Sequence, residues 1–267
     1  MKLLALCMAA CAALAGPALA QDASAAKAPG PFARAATDVR GKPDGWPSPQ
    51  GESWDAIKQL PDWGGIWQGS ISGPRVASEP PSLTPEYAAR LAAFRESKTR
   101  GENLQSEHAN CMPFAFPSSM QIYPIEFLFT PGKVTVAIET DSQMRRIFTD
   151  GRKLPDDPDL SFQGYSVGHW EGDTLVVKTN GLVPSPMMQI MEGVDHSDRL
   201  TVDERIRLVG PDTLEIQWTY VDPVVLTKPW VQTRLFQRHR DWDLQEYNCS
   251  QNNHDAADEK GRPSMHF

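Results

Sequence analysis

The stretch LTVDERIRLVGPDTLEIQWTYV, residues 200–221, predicts a β-hairpin and with it the fold class. Apolar and polar residues alternate on both sides of the turn at Gly210-Pro211-Asp212, which is the pattern of two half-buried antiparallel strands. The side chains expected to face inward are Leu200, Val202, Ile206, Leu208, Leu214, Ile216, Trp218 and Tyr220. One charged residue, Glu204, shares this inward face.

The same alternation recurs along the chain in short segments that are separated by turns rich in Gly, Pro and Asp. Candidate strands lie at residues 127–129, 133–139, 144–149, 165–170, 174–179, 231–239 and 244–249, after a first strand near residue 62. They predict eight or nine antiparallel strands without crossover helices, which excludes Rossmann and TIM-barrel folds. A meander of this size protects its edges by closing, so we predict a mostly-β barrel.

One α-helix is predicted on the N-terminal side of the meander. Thr84 suits the N-cap, Pro85 suits the first helical position, and Gly101 suits the end of the helix. The apolar residues on one helical face are Tyr87, Leu91 and Phe94. This face is expected to pack against the rest of the protein.

Composition excludes several classes of partner. The 267 residues are 40% hydrophobic and 22% charged, which is typical of a packed globular protein. Lys and Arg number 26 against 34 Asp and Glu, which gives a net charge of −8. We therefore expect no nucleic acid partner, because no basic field attracts phosphate backbones. The oligomeric state does not follow from the sequence.

The N-terminus has the pattern of a secretory signal peptide over residues 1–20. Lys2 precedes an apolar run at residues 3–14, and Ala18-Leu19-Ala20 provides a cleavage site of small residues. The apolar run is too short to span a bilayer, so we expect a periplasmic or secreted protein without membrane insertion after cleavage. A lipoprotein with a lipidated Cys11 is the alternative interpretation.

The remaining chain is predicted to form one domain with a poorly ordered segment on each side. Residues 21–60 are expected to form a poorly ordered tether, residues 61–252 the barrel domain, and residues 253–267 a mobile tail. The mature chain keeps two cysteines, Cys111 and Cys249. In an oxidising compartment they are predicted to form a disulfide, and a free nucleophilic thiol is the alternative.

Glu204 is the first candidate for chemistry. A carboxylate on a buried face is costly unless it is paired, hydrogen-bonded or protonated. Arg146 is the predicted partner, because it alternates with Met144 and Phe148 on one strand. Two interpretations stay open: a catalytic base, or a structural Glu–Arg pair.

Two histidines and a tyrosine are the other candidates. Tyr165, Val167 and His169 share one face of a predicted strand, so the phenol and the imidazole could enter the same interior. His169 would serve acid–base chemistry, and its alternative role is a bond to the nearby Glu171 or to Asp173. His196 lies in the polar loop at residues 195–198, where it is either a second acid–base group or part of a local turn.

Signals for hydrolase and metal chemistry are weak. Gly164, Ser166 and Gly168 match the Gly-x-Ser-x-Gly pattern, but a strand follows where a nucleophile elbow needs a helix. No His or Cys spacing typical of a metal site occurs, so we expect neither a metal nor a cofactor. A copper site would have to use the thioethers of Met187, Met188 and Met191, which more plainly suit a flexible apolar lid.

Two resemblances bear on the fold. Gly65-Ile66-Trp67 resembles the Gly-x-Trp opening of lipocalin-like barrels, which implies a cup for an apolar ligand. Some barrels of that kind are hydratases or isomerases. Over about residues 60–252 the chain also resembles a group of uncharacterised secreted bacterial proteins. The stretches that carry this second resemblance are YPIEFLF at 123–129, RRIFTDGR at 145–152, GHWEGDTLVV at 168–177 and LTKPW at 226–230.

These patterns lead to one functional hypothesis and one alternative. The hypothesis is a periplasmic, cofactor-independent lyase, hydratase or isomerase acting on a small hydrophobic or aromatic molecule. Glu204 or His169 would be the base, His196 or Tyr165 the acid, and Arg146 would stabilise developing negative charge. The alternative is a non-catalytic lipocalin-like carrier of a similar ligand.

Overall fold

The computed structural model describes residues 51–69, 78–101, 112–184 and 193–248. Several predictions lie outside these described residues. They are the signal peptide 1–20, the tether up to residue 50, Cys111, Cys249, the three methionines 187, 188 and 191, and the tail 253–267.

Nine strands of the described chain close into a barrel, and each pairs with the next in sequence. They are β1 (Ile66–Gly69), β2 (Ile125–Thr130), β3 (Lys133–Ile138), β4 (Gln143–Phe148), β5 (Tyr165–Glu171), β6 (Thr174–Asn180), β7 (Thr201–Gly210), β8 (Thr213–Val221) and β9 (Trp230–His239). The last strand returns to the first through the register Ile66↔His239 to Gly69↔Phe236. The predicted mostly-β, lipocalin-like barrel is confirmed.

One pairing in the barrel differs from the predicted antiparallel order. β4 and β5 run parallel, with Ile147 opposite Ser166 and Phe148 opposite Val167. A tight hairpin forces an antiparallel pair, but the long connection over residues 149–164 lets the chain return to the starting end of the barrel. The predicted last strand at 244–249 was also wrong for its described part, where Tyr247 forms a single bridge with Thr140.

Three helices accompany the strands in the described part of the chain: α1 (Trp54–Ile57), α2 (Pro85–Thr99) and α3 (Ser118–Ile122). The predicted helix is confirmed in α2, where Tyr87 and Leu91 are buried. α1 falls within the segment predicted as a tether. The carbonyl of Gly51 accepts a hydrogen bond of 2.9 Å from the amide of Gly132, so the chain contacts the barrel from residue 51 onward.

Large side chains occupy the interior of the barrel. At one end, the ring of Trp63 packs 5.0 Å from Phe127 and 5.2 Å from Trp170. Trp67 is fully buried, and the guanidinium of Arg238 lies 4.4 Å from its ring centroid. At the other end, the buried residues Ala115, Phe116 and Met120 lie on and before α3. We call residues 113–122 the plug segment, because these side chains join the core of the barrel.

Two glycines with a left-handed backbone conformation differ in how closely other atoms surround them. A Cβ at Gly164 (φ +63°) would lie 2.6 Å from the carbonyl oxygen of Asn180, whereas a Cβ at Gly172 (φ +59°) would meet no atom within 4 Å. Both alanine variants meet the strain of a positive φ, about 1–2 kcal/mol. Gly164→Ala should lose about 1–3 kcal/mol more from overpacking. Urea unfolding of both variants measures this difference, and equal losses would contradict it.

Candidate functional site

Glu204 faces the interior of the barrel, as its place in the alternation predicts. It is 1% exposed and stands opposite Trp218 in the β7–β8 register. Its Oε1 accepts hydrogen bonds from Trp218 Nε1 at 3.0 Å and from Arg145 Nη1 at 3.1 Å. Its Oε2 accepts a further bond from Arg145 Nη2. Both carboxylate oxygens are therefore bound by donors of the protein itself.

Arg145 completes this cluster, and its guanidinium is saturated. Nη1 also donates to Met120 Sδ at 3.3 Å, Nη2 donates to Thr179 Oγ1 at 2.9 Å, and Nε donates to Ser166 Oγ at 3.3 Å. A guanidinium has five N–H groups, and each one here has an acceptor. The planar group also stacks on the ring of Phe116 at 3.7 Å. The side chains of Arg145 and Glu204 are both 0% exposed.

We call Arg145, Glu204, Ser166, Thr179 and Trp218 the interior polar cluster. Its members come from five consecutive strands, β4 to β8. Desolvation of a buried ion pair is offset only when the geometry and the remaining hydrogen bonds are good, and both conditions hold here. A general base needs a lone pair that faces a reacting atom. The cluster directs its polar atoms at one another, which favours the structural interpretation of Glu204.

Arg146, the predicted partner of Glu204, lies on the outer face and is exposed. Arg145 and Arg146 are adjacent in β4, so one of them points inward and the other outward. The residue pattern of the strand alone does not show which one points inward. The neighbouring strand decides, because Val136 pairs with Arg145 and Val134 pairs with Ile147, and both valines are buried. Arg145 therefore points inward and Arg146 outward.

The inward direction predicted for Tyr165 and His169 was wrong. Ser166, Gly168 and Trp170 face inward on β5, because burial of the indole dominates the choice of face. Nε2 of His169 lies 3.2 Å from Glu171 Oε1, which is the alternative pairing considered for this histidine. Hydrogen bonds from Arg205, and then from His169, lower the pKa of Glu171.

The hydroxyl of Tyr165 is held on the outer face as well. It accepts a hydrogen bond from Arg152 Nη1 at 3.3 Å, and its ring lies 5.4 Å from that of Phe148. The Asp150 side chain and then the Tyr165 hydroxyl raise the pKa of Arg152, so the guanidinium stays charged. Tyr165 therefore anchors the segment after β4 and has no contact with the interior polar cluster in the described residues.

The Gly-x-Ser-x-Gly pattern has a packing explanation. Ser166 is fully buried, and its hydroxyl lies 2.8 Å from Thr179 Oγ1 while it accepts from Arg145. At Gly168 a Cβ would come within 3.0 Å of Ile147 Cγ2 and of the Val176 carbonyl oxygen. The small residues thus let β5 approach its neighbours, and Ser166 is an acceptor for a buried cation.

His196 is buried at 2% exposure, away from the interior polar cluster. Its Nδ1 lies 2.7 Å from the Ser197 carbonyl oxygen, which can only accept, so Nδ1 carries the proton. Nε2 then presents a bare lone pair, and it has no hydrogen-bond partner among the described residues. Burial lowers the pKa of His196. Asp222 fixes the loop by accepting bonds from the amide and the hydroxyl of Ser197, both at 2.8 Å.

The candidate acid–base groups are therefore dispersed. Glu204 lies inside the barrel, His169 and Tyr165 lie on its outer face, and His196 belongs to a loop fixed by Asp222. In the described part of the chain, no residue bonds to both Glu204 and His196. They do not form one site.

A pocket of about 280 Å³ lies on the outer side of β9, and sequence patterns gave no signal for it. We call it the Trp230 pocket. Its lining residues are Ser78, Glu79, Pro80, Lys228, Pro229, Trp230, Val231 and Thr233. The indole Nε1 of Trp230 donates to the Glu79 carbonyl oxygen at 2.6 Å, across 151 residues of sequence. Such a site forms only in the folded chain, which is why no local motif marks it.

The two walls of the Trp230 pocket are tied together below the opening. Thr227 donates from its amide to the Ser82 carbonyl oxygen at 2.8 Å, and the amide of Thr84 donates to the Val225 carbonyl oxygen at 2.9 Å. Leu83 forms a bridge with Leu226 between these bonds. The Trp230 ring also packs 5.2 Å from Tyr220. The pocket is therefore preformed.

Comparisons with known proteins add no function. No protein-family model matches the chain, and a search of curated proteins finds no significant match. Within residues 51–69, 78–101, 112–184 and 193–248, no group of three or more His, Cys, Asp or Glu side chains is placed to hold a metal ion. Of the helices in those ranges, none is both long enough and apolar enough to cross a membrane.

Loss of one partner of the buried ion pair should destabilise the fold. Glu204→Gln leaves the guanidinium of Arg145 buried without its counter-charge, and we expect a loss of about 3–5 kcal/mol in the free energy of unfolding. The matched control is Glu215→Gln, whose partner Arg207 is exposed, with an expected loss below about 1 kcal/mol. Denaturant unfolding compares the two. Equal losses of unfolding free energy in the two variants would contradict this prediction, because the interior pair would then contribute no more to stability than an exposed one.

The buried, neutral His196 should make stability depend on pH. Its folded-state pKa lies below the unfolded value of about 6.5, so its contribution is complete above pH 6.5 and is lost as the pH falls toward the folded-state pKa. His196→Gln should remove this part of the fall in unfolding free energy between pH 8 and pH 5. His169→Gln, on the outer face, is the control. An unchanged pH dependence in His196→Gln would contradict the assignment.

Proposed function

We propose that this protein is a non-catalytic carrier of a small apolar or aromatic molecule, which it binds in the Trp230 pocket. The observation that carries the proposal is a preformed pocket that is lined by Trp230 and by the apolar residues Pro80, Pro229 and Val231. Such sites with a few polar groups are the usual form of small-molecule sites. The signal-peptide pattern of residues 1–20 supports a carrier that works in the periplasm or outside the cell.

The size and chemistry of the pocket support a ligand with about one ring. Its volume of about 280 Å³ is slightly below the range of roughly 300–1,000 Å³ that is usual for small-molecule sites, which favours a small ligand. Val231 is 42% exposed, so the opening offers apolar surface to a ligand at little cost in rearrangement, whereas Trp230 is 7% exposed and is mostly covered by the protein itself.

Binding without chemistry is favoured by the positions of the acid–base candidates. The carboxylate of Glu204 is saturated by Arg145 and Trp218, and neither Glu204 nor His196 lines the Trp230 pocket. The charged groups that do line it are Glu79 and Lys228, which pair with each other. We therefore prefer the carrier to the lyase, hydratase or isomerase that the sequence patterns first suggested.

Indole is the probe for this proposal. We expect saturable binding of indole by calorimetry, and recovery of unchanged indole by mass spectrometry after prolonged incubation. Val231→Gln puts a polar group on the wall and should weaken binding by about threefold or more, since a valine contributes about 1.5–3 kcal/mol when fully buried. Val209→Gln, at a similarly exposed strand position outside the pocket, should bind as the wild type does.

Two results would count against the carrier. If neither indole nor its ring-substituted analogues bind saturably, the pocket is not a ligand site. If a bound aromatic compound is converted to a product, and His196→Gln abolishes the conversion, the protein is an acid–base enzyme with His196 as its base.

A further inference from the structure

We propose that the ligand of the Trp230 pocket is an apolar or aromatic α-amino acid bound as its zwitterion. This inference rests on the carrier function proposed above and adds the charge pattern of the ligand. It comes from the pair of opposite charges in the lining, where Lys228 Nζ lies 3.6 Å from Glu79 Oε2.

The charge pair selects against ligands that carry one sign only. An anion near Lys228 would also face the carboxylate of Glu79, and a cation near Glu79 would also face the ammonium of Lys228. A zwitterion satisfies both charges together, because an α-amino acid carries its ammonium and its carboxylate on the same carbon. Electrostatic complementarity of this kind determines specificity more than total affinity.

Both charged groups are available to a ligand. The side chain of Lys228 is 63% exposed and that of Glu79 is 87% exposed, so their mutual pair is weak and exchanges readily for other partners. Replacing one exposed pair by two ligand pairs costs little desolvation. The apolar side chain of the amino acid would then lie against the exposed Val231 and the neighbouring Pro80 and Pro229 of the lining.

The backbone positions of the two charges are fixed in advance. Glu79 precedes Pro80 and Lys228 precedes Pro229, and a residue before proline is restricted to extended backbone conformations. The hydrogen bond from Trp230 Nε1 to the Glu79 carbonyl oxygen joins one charged wall to the indole. Only the side-chain torsions remain to be ordered, which lowers the entropy cost of binding.

Three probes separate the charge contributions: L-phenylalanine, L-phenylalanine amide without the carboxylate, and N-acetyl-L-phenylalanine without the ammonium. We expect the wild type to bind L-phenylalanine about three- to fivefold more tightly than either derivative, since an exposed ion pair contributes up to about 1 kcal/mol. Calorimetry or ligand-observed NMR gives the three dissociation constants on the full mature chain.

Single substitutions show which residue causes the preference for the carboxylate of the ligand and which causes the preference for its ammonium group. Lys228→Gln should bind L-phenylalanine and its amide equally well while it still discriminates against the N-acetyl derivative. Glu79→Gln should show the reverse pattern. The control is Lys178→Gln, which removes an exposed lysine paired with Asp203 at 3.5 Å on β6 and should keep both preferences.

The outcomes distinguish the two proposals. If indole binds but the three phenylalanine probes bind equally, the zwitterion proposal is overturned and the carrier stands. Tighter binding of the N-acetyl derivative or of the amide than of the zwitterion would also overturn it, in favour of a simple anion or cation. If neither indole nor any phenylalanine probe binds, the carrier function itself fails.

Discussion

A buried ion pair between Arg145 and Glu204 lies in the middle of the barrel, and the strands from β4 to β8 each supply one of its neighbours or members. The desolvation cost of a buried ion pair is offset only when each N–H donor has an acceptor. The acceptors come from different strands, so these strands must align in one register. A slip of one residue in any of them would turn its polar atom outward and leave a buried charge unpaired. The apolar alternation of the strands favours this register, and the hydrogen bonds of the buried pair are satisfied only in the same register.

The same pair also organises the plug segment. Phe116 stacks on the guanidinium and Met120 accepts one of its N–H groups. At the opposite end, Arg238 covers Trp67 and donates to the carbonyl oxygens of Asp62 and Pro211. Large side chains and two arginines thus fill part of the interior of the barrel, and the Trp230 pocket lies on its outer surface.

The inward face of a strand can be predicted from the sequence only when one of its two faces is clearly more apolar than the other. In β7 the outward face is mainly polar, so the inward direction of Glu204 followed from the pattern. The start of α2 followed from Thr84 and Pro85. In β5 both faces carry apolar residues, and burial of the larger Trp170 indole decides which face turns inward. In β4 the buried valines of β3 decide between Arg145 and Arg146. The Trp230 pocket needs two distant segments and has no local signature at all.

The pocket and the interior are nevertheless mechanically connected. Trp230 packs on Tyr220, which is fully buried, and burial raises the pKa of the Tyr220 phenol, so the hydroxyl stays neutral. That hydroxyl donates to Gln232 Oε1 at 3.0 Å and accepts from Gln121 Nε2 at 3.1 Å. Gln121 belongs to α3, and its neighbour in that helix, Met120, contacts Arg145. A chain of contacts through Tyr220 and the plug segment therefore connects the Trp230 indole with the buried ion pair.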